Sequence, residues 1–190
     1  MIATTTESIW QTVGPFFHSA LPWKDGGVLA KAGARGQRIR LVCTVTDGGG
    51  YAVSDGMIEI WQADAGGKYA HPDDTQHGEA DPCFEGFGRM VADASGRFLF
   101  DTVLPGPVPG SGNAVQAPHI NVSIFARGLV RRLSTRVYFA GNELNDTDQV
   151  LNLVEPGRRS TLMAVPQQDG PQWHWSVSLQ GNNETVFFEV

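Results

Sequence analysis

The chain contains three tyrosines and five histidines, so a metal site built on phenolate or imidazole would draw on few residues. The most pointed spacing is Pro118-His119-Ile120-Asn121. Residues two apart on a strand share a face, so His119 and Asn121 project together while Ile120, Val122 and Ile124 face a core. Two histidines so placed would form one edge of a metal site. The second residue is asparagine, a poor transition-metal ligand, and a lone strand histidine is more often a hydrogen-bonded structural residue. Tyr69 lies in Gly66-Gly67-Lys68-Tyr69-Ala70-His71-Pro72, with Asp73 and Asp74 behind it. That group could approach a metal, but a solvated polar loop around a packed tyrosine explains the same residues. His18 and His77 have no ligand-like neighbours, and His174 sits between Trp173 and Trp175 on the outward face of its strand. No Ser-His-Asp arrangement, phosphate-binding loop or dinucleotide fingerprint is present.

The elements that must position these residues are short and mostly extended. Period-two alternation predicts strands at 37–46, 57–63, 97–103, 119–126, 134–140, 161–165, 172–180 and 184–190. Turn signals separate them, among them Asp47-Gly48-Gly49-Gly50 and Asp93-Ala94-Ser95-Gly96. Only Asn145–Glu155 reads as helical, with Asn145 or Asp146 as its cap. The expected fold is therefore mainly β: an antiparallel β-sandwich of about eight strands with long loops and one short helix. Two stretches escape the pattern, the irregular segment 1–36 and the polar excursion 64–90, and loops of that length are usually functional or packed against a partner. With neither repeat nor linker, residues 1–190 read as one domain.

Composition agrees. The chain has 190 residues, 23 glycines and 11 prolines, and only 18% charged residues, below the usual ~25%. This disfavours coiled coils, long-helix bundles and disordered tails. The net charge of −6 offers no basic field for nucleic acid. The start, MIATTTESIWQTVGPFF, lacks the pattern of a secretory signal, and no apolar run is long enough to span a membrane, so a cytoplasmic location is expected. Cys43 shares a face with Ile39, Leu41 and Val45 and reads as a small buried hydrophobe. Cys83 falls in a polar loop, and the pair lacks CxxC spacing.

Taken together, the segments are more specific than any one of them. Thr12-Val13-Gly14-Pro15-Phe16-Phe17 is followed by Trp61-Gln62-Ala63-Asp64 leading to Tyr69, then by Phe87-Gly88-Arg89. Leu104-Pro105-Gly106-Pro107, Ala117-Pro118-His119-Ile120 and Thr135-Arg136-Val137-Tyr138-Phe139 complete the series. This order and spacing resembles the intradiol ring-cleaving dioxygenases over nearly the whole chain. In that family two tyrosines and two histidines hold a ferric ion that chelates a catechol and makes its ring cleavable by O2 between the hydroxylated carbons.

Position by position, the resemblance places Tyr69 at the first tyrosine and Val108 where the second would stand, and His119 and Asn121 at the histidine pair. Two of four donors are missing. The resemblance thus implies no catalytic and no metal-binding residue here, with Fe(III) held by a homologous iron-bearing beta chain in a hetero-oligomer. It implies an interface active site cleaving 3,4-dihydroxybenzoate to 3-carboxy-cis,cis-muconate. Thr12, Gly14, Pro15 and Arg127 match the substrate-facing positions. Glycine and proline let backbone approach a flat ring, Thr12 offers a hydroxyl, and an arginine can pair with a carboxylate. Arg136 competes with Arg127 for that role. Two alternatives stand beside this: a stand-alone dioxygenase with a rebuilt iron site using Tyr69, His119 and His71 or an aspartate, and a non-catalytic β-sandwich binding module.

Overall fold

A computed structural model of the chain describes residues 11–168 and 170–189. The first ten residues of the segment expected to be irregular lie outside them. A four-residue helix α1 (Phe17–Ala20) precedes ten strands. These are β1 (Arg38–Thr46), β2 (Met57–Gln62), β3 (Phe87–Val91), β4 (Arg97–Val103), β5 (Val108–Pro109) and β6 (Val115–Gln116), then β7 (His119–Phe125), β8 (Leu133–Phe139), β9 (Met163–Pro166) and β10 (Gln172–Ser178). Eight of them run in the order β3-β2-β7-β8-β9-β10-β1-β4, while β5 and β6 form a small hairpin.

Strand β9 joins two leaflets. Its Met163 and Ala164 pair with Tyr138 and Phe139 of β8, and its Val165 and Pro166 with His174 and Trp173 of β10. Alternation then decides what faces inward. Leu41, Cys43, Phe98, Phe100 and Trp175 from one leaflet meet Ile58, Ile60, Ile120, Val122 and Val137 from the other in a single core. Burying each of the larger side chains contributes about 2–3 kcal/mol. The sandwich holds, with two departures from an antiparallel arrangement: β1–β10 and β8–β9 pair in parallel.

Four local expectations need correction. Residues 145–155 form no α-helix; the backbone makes 3₁₀ turns at Glu143–Asp146 and Leu151–Leu153, and Asn142 is the cap, accepting from the Leu144 amide. The cause is Asp148, whose carboxylate takes the amides of Val150 and Leu151 that a helix would leave to its own ladder. Of the strand expected at 184–190, the described residues 184–189 form none: Thr185 donates to Ser178 and Phe188 to Ser134, so the segment crosses strand ends rather than following one edge. Strand β3 and the β5–β6 hairpin lay unrecognised in stretches read as loop. The strand expected at 161–165 begins only at Met163, after a 3₁₀ run at Pro156–Leu162.

The excursion after β2 is ordered by this chain's own side chains. Buried Asp64 accepts from the amides of Gly66, Lys68 and Asp81 at 2.8–3.0 Å. Buried Asp81 accepts in turn from Arg35 and Cys83 at 2.6 and 2.9 Å. These contacts hold the carboxyl of Asp81 below the usual carboxylate range. Two buried carboxylates thus brace the loop from within. Among the described residues, no helix is long and apolar enough to cross a membrane.

Candidate functional site

The outer face of β2, β7 and β8 forms a floor. Antiparallel register sets Trp61 opposite Asn121, and Asn121 opposite Arg136. His119 and Asn121 share this face as the spacing predicts, with Ile120, Val122 and Ile124 buried behind them. Gln62, the neighbour of Trp61, points the other way. It is wholly buried, donates to the Val103 carbonyl at 3.1 Å and accepts the Thr102 hydroxyl at 2.8 Å, tying β2 to β4.

Two glycines bring the loops onto this floor. Gly67 has φ +75°, and a Cβ there would lie 2.0 Å from the Pro107 carbonyl oxygen. Gly106 donates its amide to Asp64 at 2.9 Å, with no room for a side chain against Gly67. Backbone therefore packs on backbone between the Trp-Gln-Ala-Asp and Pro-Gly-Pro segments. Tyr69 stacks on Trp61 with ring centroids 5.6 Å apart and an interplanar angle of 15°. His71 meets the same indole edge-on at 6.2 Å. A cavity of about 530 Å³ results, and all four positions singled out by the family pattern, Tyr69, Val108, His119 and Asn121, line it.

What fills the site electrically is Arg136. Its Nε donates to Asn121 Oδ1 at 3.0 Å and one terminal nitrogen donates to Gln116 Oε1 at 2.8 Å. His119 is buried, and its Nδ1 lies 2.8 Å from the Ala117 carbonyl, so that nitrogen carries the proton and donates. Burial and the nearby guanidinium push its pKa down to about 4. Burial pushes the Tyr69 phenol up, opposed by Arg136. Tyr138, beside His119, is raised to about 12, chiefly by burial.

This donor set does not fit a ferric ion. Val108 has no donor atom, and the oxygen of Asn121 is engaged by Arg136. A guanidinium stays protonated, and a trivalent cation ~5 Å from it meets roughly 10 kcal/mol of repulsion at an effective dielectric of ~20.

Below the cavity lies a residue that sequence reasoning missed. Asp148 is wholly buried. Its Oδ2 accepts from the Ala117 amide at 2.8 Å, and its Oδ1 from the Tyr138 hydroxyl at 3.1 Å and the amides of Val150 and Leu151 at 2.9 and 2.7 Å. It thus fixes the backbone just before His119. The only sequence signal was an aspartate two residues before a short apolar run.

The expected substrate-facing residues lie at a second locus. Thr12 Oγ1 accepts from the Gly128 amide at 2.9 Å, joining segments 116 positions apart beside Arg127. Gly128 has φ +86°, which a side chain would strain. Arg127 pairs with Asp55, and its side chain is 66% exposed. Gly14 and Pro15 follow Thr12 on the surface, and among the described residues nothing lies within 4 Å of a Cβ on Gly14. Arg127 therefore stands with the N-terminal segment, whereas Arg136 belongs to the cavity.

Residues 12–181 match the family described as dioxygenase. The chain is 39% identical over 194 residues to the protocatechuate 3,4-dioxygenase alpha chain of Pseudomonas putida, covering 94% of each. It is 37% identical over 158 residues to the beta chain of the same-named enzyme of Burkholderia cepacia, covering 79% of this chain and 67% of that one. Among solved structures, the dioxygenase domain of a dioxygenase–carbohydrate-binding protein fusion from Streptomyces sp. SirexAA-E superposes with a TM-score of 0.63 at 25% identity, covering 93% of this chain and 97% of that one.

Proposed function

The chain belongs to the intradiol ring-cleaving dioxygenase family, and on that premise we propose that it is the alpha subunit, itself without iron, of a ferric, O2-dependent protocatechuate 3,4-dioxygenase. The observation that carries the reading is the guanidinium of Arg136 hydrogen-bonded to Asn121 inside the former ligand ring. A fixed cation there leaves the chemistry to a homologous beta chain, which holds Fe(III) and supplies catechol chelation and O2 activation. Similarity to both an alpha and a beta chain supports a hetero-oligomer of related subunits.

In this reading residues 1–190 act as one cytoplasmic domain that lends a wall to the partner's pocket. Gly14 and Pro15 let the backbone approach the flat ring of 3,4-dihydroxybenzoate, and Thr12 holds that segment against the Arg127 turn. The exposed guanidinium of Arg127 pairs with the substrate carboxylate in exchange for Asp55, and 3-carboxy-cis,cis-muconate leaves the same wall. Arg127→Ala in the assembled enzyme should raise KM about tenfold or more with kcat little changed; an unchanged KM refutes the assignment.

A second reading has one observation in its favour: His71 and Asp73 line the same cavity as Tyr69 and His119, where a rebuilt iron site would need them. Colour separates the two. Tyrosinate–ferric centres absorb visible light, so the chain purified alone should be colourless, free of iron and inactive, and should give a coloured, active complex with its beta chain. A coloured, iron-loaded preparation of this chain alone would establish the second reading.

A further inference from the structure

The cavity that does not fit iron still holds a positive charge that no carboxylate among the described residues pairs with. Arg136 gives N–H groups to two neutral amide oxygens, those of Asn121 and Gln116. Tyr138 is its third neighbour. Among the described residues it forms no ion pair with a carboxylate, unlike Arg40, Arg89 and Arg127. A guanidinium carries five N–H donors, so donor capacity remains for a ligand. A half-buried cation held only by neutral groups favours an anion that completes its hydrogen bonding.

The walls select what kind of anion. Trp61 and Tyr69 present stacked rings to the same space, and Val108 adds an apolar side. The volume of about 530 Å³ admits one small ring with its substituent. Two carboxylates also face the cavity, Asp73 and Asp74. Asp73 is 93% exposed and lies 3.6 Å from His71 Nδ1, so water screens it. Asp74 is occupied as an acceptor for the amides of Tyr69 and Gln76. Their presence disfavours a dianion such as phosphate but leaves room for a single negative charge.

We propose that this cavity is a binding site for a small aromatic monocarboxylate, its carboxylate on Arg136 and its ring against Trp61 and Tyr69. The site is separate from the wall formed by Thr12 and Arg127 and does not rest on the subunit role proposed above. Calorimetric titration of the full chain with benzoate at low ionic strength tests it. Wild type should bind one benzoate per chain, and more tightly than acetate, because acetate has no ring to stack. Arg136→Gln should weaken benzoate about tenfold or more, while Arg40→Gln, on the opposite leaflet, should leave it unchanged. Val108→Phe narrows the cavity and keeps the arginine, so it should weaken binding even if Arg136→Gln folds poorly. No binding by wild type, loss through Arg40→Gln instead, or unchanged affinity in Val108→Phe would each overturn the proposal.

Discussion

Replacing Asp148 by alanine tests how the former ligand ring is held in shape. The carboxylate is 0% exposed and accepts four hydrogen bonds between 2.7 and 3.1 Å. A hydrogen bond to a charged acceptor contributes about 1.5–3 kcal/mol, and a buried donor left without a partner costs about 1–3 kcal/mol. The four bonds share one carboxylate and do not add in full, and water entering the space left behind restores some of them. The expected loss is therefore about 4 kcal/mol for Asp148→Ala, and about 2 kcal/mol for Asp148→Asn, whose amide oxygen can still serve one side. Urea denaturation followed by tryptophan fluorescence measures both, with an unchanged m-value as the check that unfolding stays two-state. A loss below about 1 kcal/mol for the alanine variant would refute the reasoning, because the four donors would then find partners without Asp148.

Two further outcomes follow from the same cavity. His119 has a folded pKa of about 4 against ~6.5 when unfolded, so between those pH values the unfolded chain binds a proton that the folded chain does not. Stability should fall as pH drops from ~6.5 towards 4, by on the order of 3 kcal/mol from this residue, and His119→Gln should flatten that slope in urea titrations at stepped pH; an equal slope in the variant would assign the loss to other groups. Val108→Tyr with Asn121→His restores the missing donor types, yet Arg136 should still keep Fe(III) out. Adding Arg136→Gln to that pair should allow iron to bind with a visible tyrosinate band, and strong colour in the double variant would show that the guanidinium is no barrier.

Much of the fold was legible because alternation is a local signal. His119, Asn121 and their buried neighbours fell on the faces that period two assigns them. Where side chains compete with the backbone, the sequence misleads. Residues 145–155 carry helical spacing, but Asp148 spends the amides a helix would need. Residues 184–190 alternate like a strand, yet Thr185 and Phe188 hydrogen-bond to the ends of two others. The site was legible only in part for a different reason. Arg127 and Arg136 look alike in sequence, and only cross-strand register puts Arg136 beside Asn121 while a 116-residue contact puts Thr12 beside Arg127. Asp55 and Gln116 carried no signal at all, since each acts through one long-range partner.

Register also suggests why two positions of the ligand ring changed and two did not. Tyr69 and His119 each have work within the chain: one stacks on Trp61 and closes the loop, the other donates to the Ala117 carbonyl in a buried position. Replacing either would open a gap in packing or leave a buried polar group unpaired, at a cost of about 1–3 kcal/mol whether or not a metal is bound. At positions 108 and 121 the side chains present fill different needs. Val108 is buried against the cavity wall with no polar group to satisfy, and Asn121 is sized to accept from the arginine directly across the ladder. Once Arg136 stands in the cavity, an imidazole at 121 would face a permanent cation, and a phenolate at 108 would lack the metal that justifies its charge. Asn121 and Arg136 therefore depend on each other, and Asn121→His alone should leave the chain less stable than Asn121→His combined with Arg136→Gln.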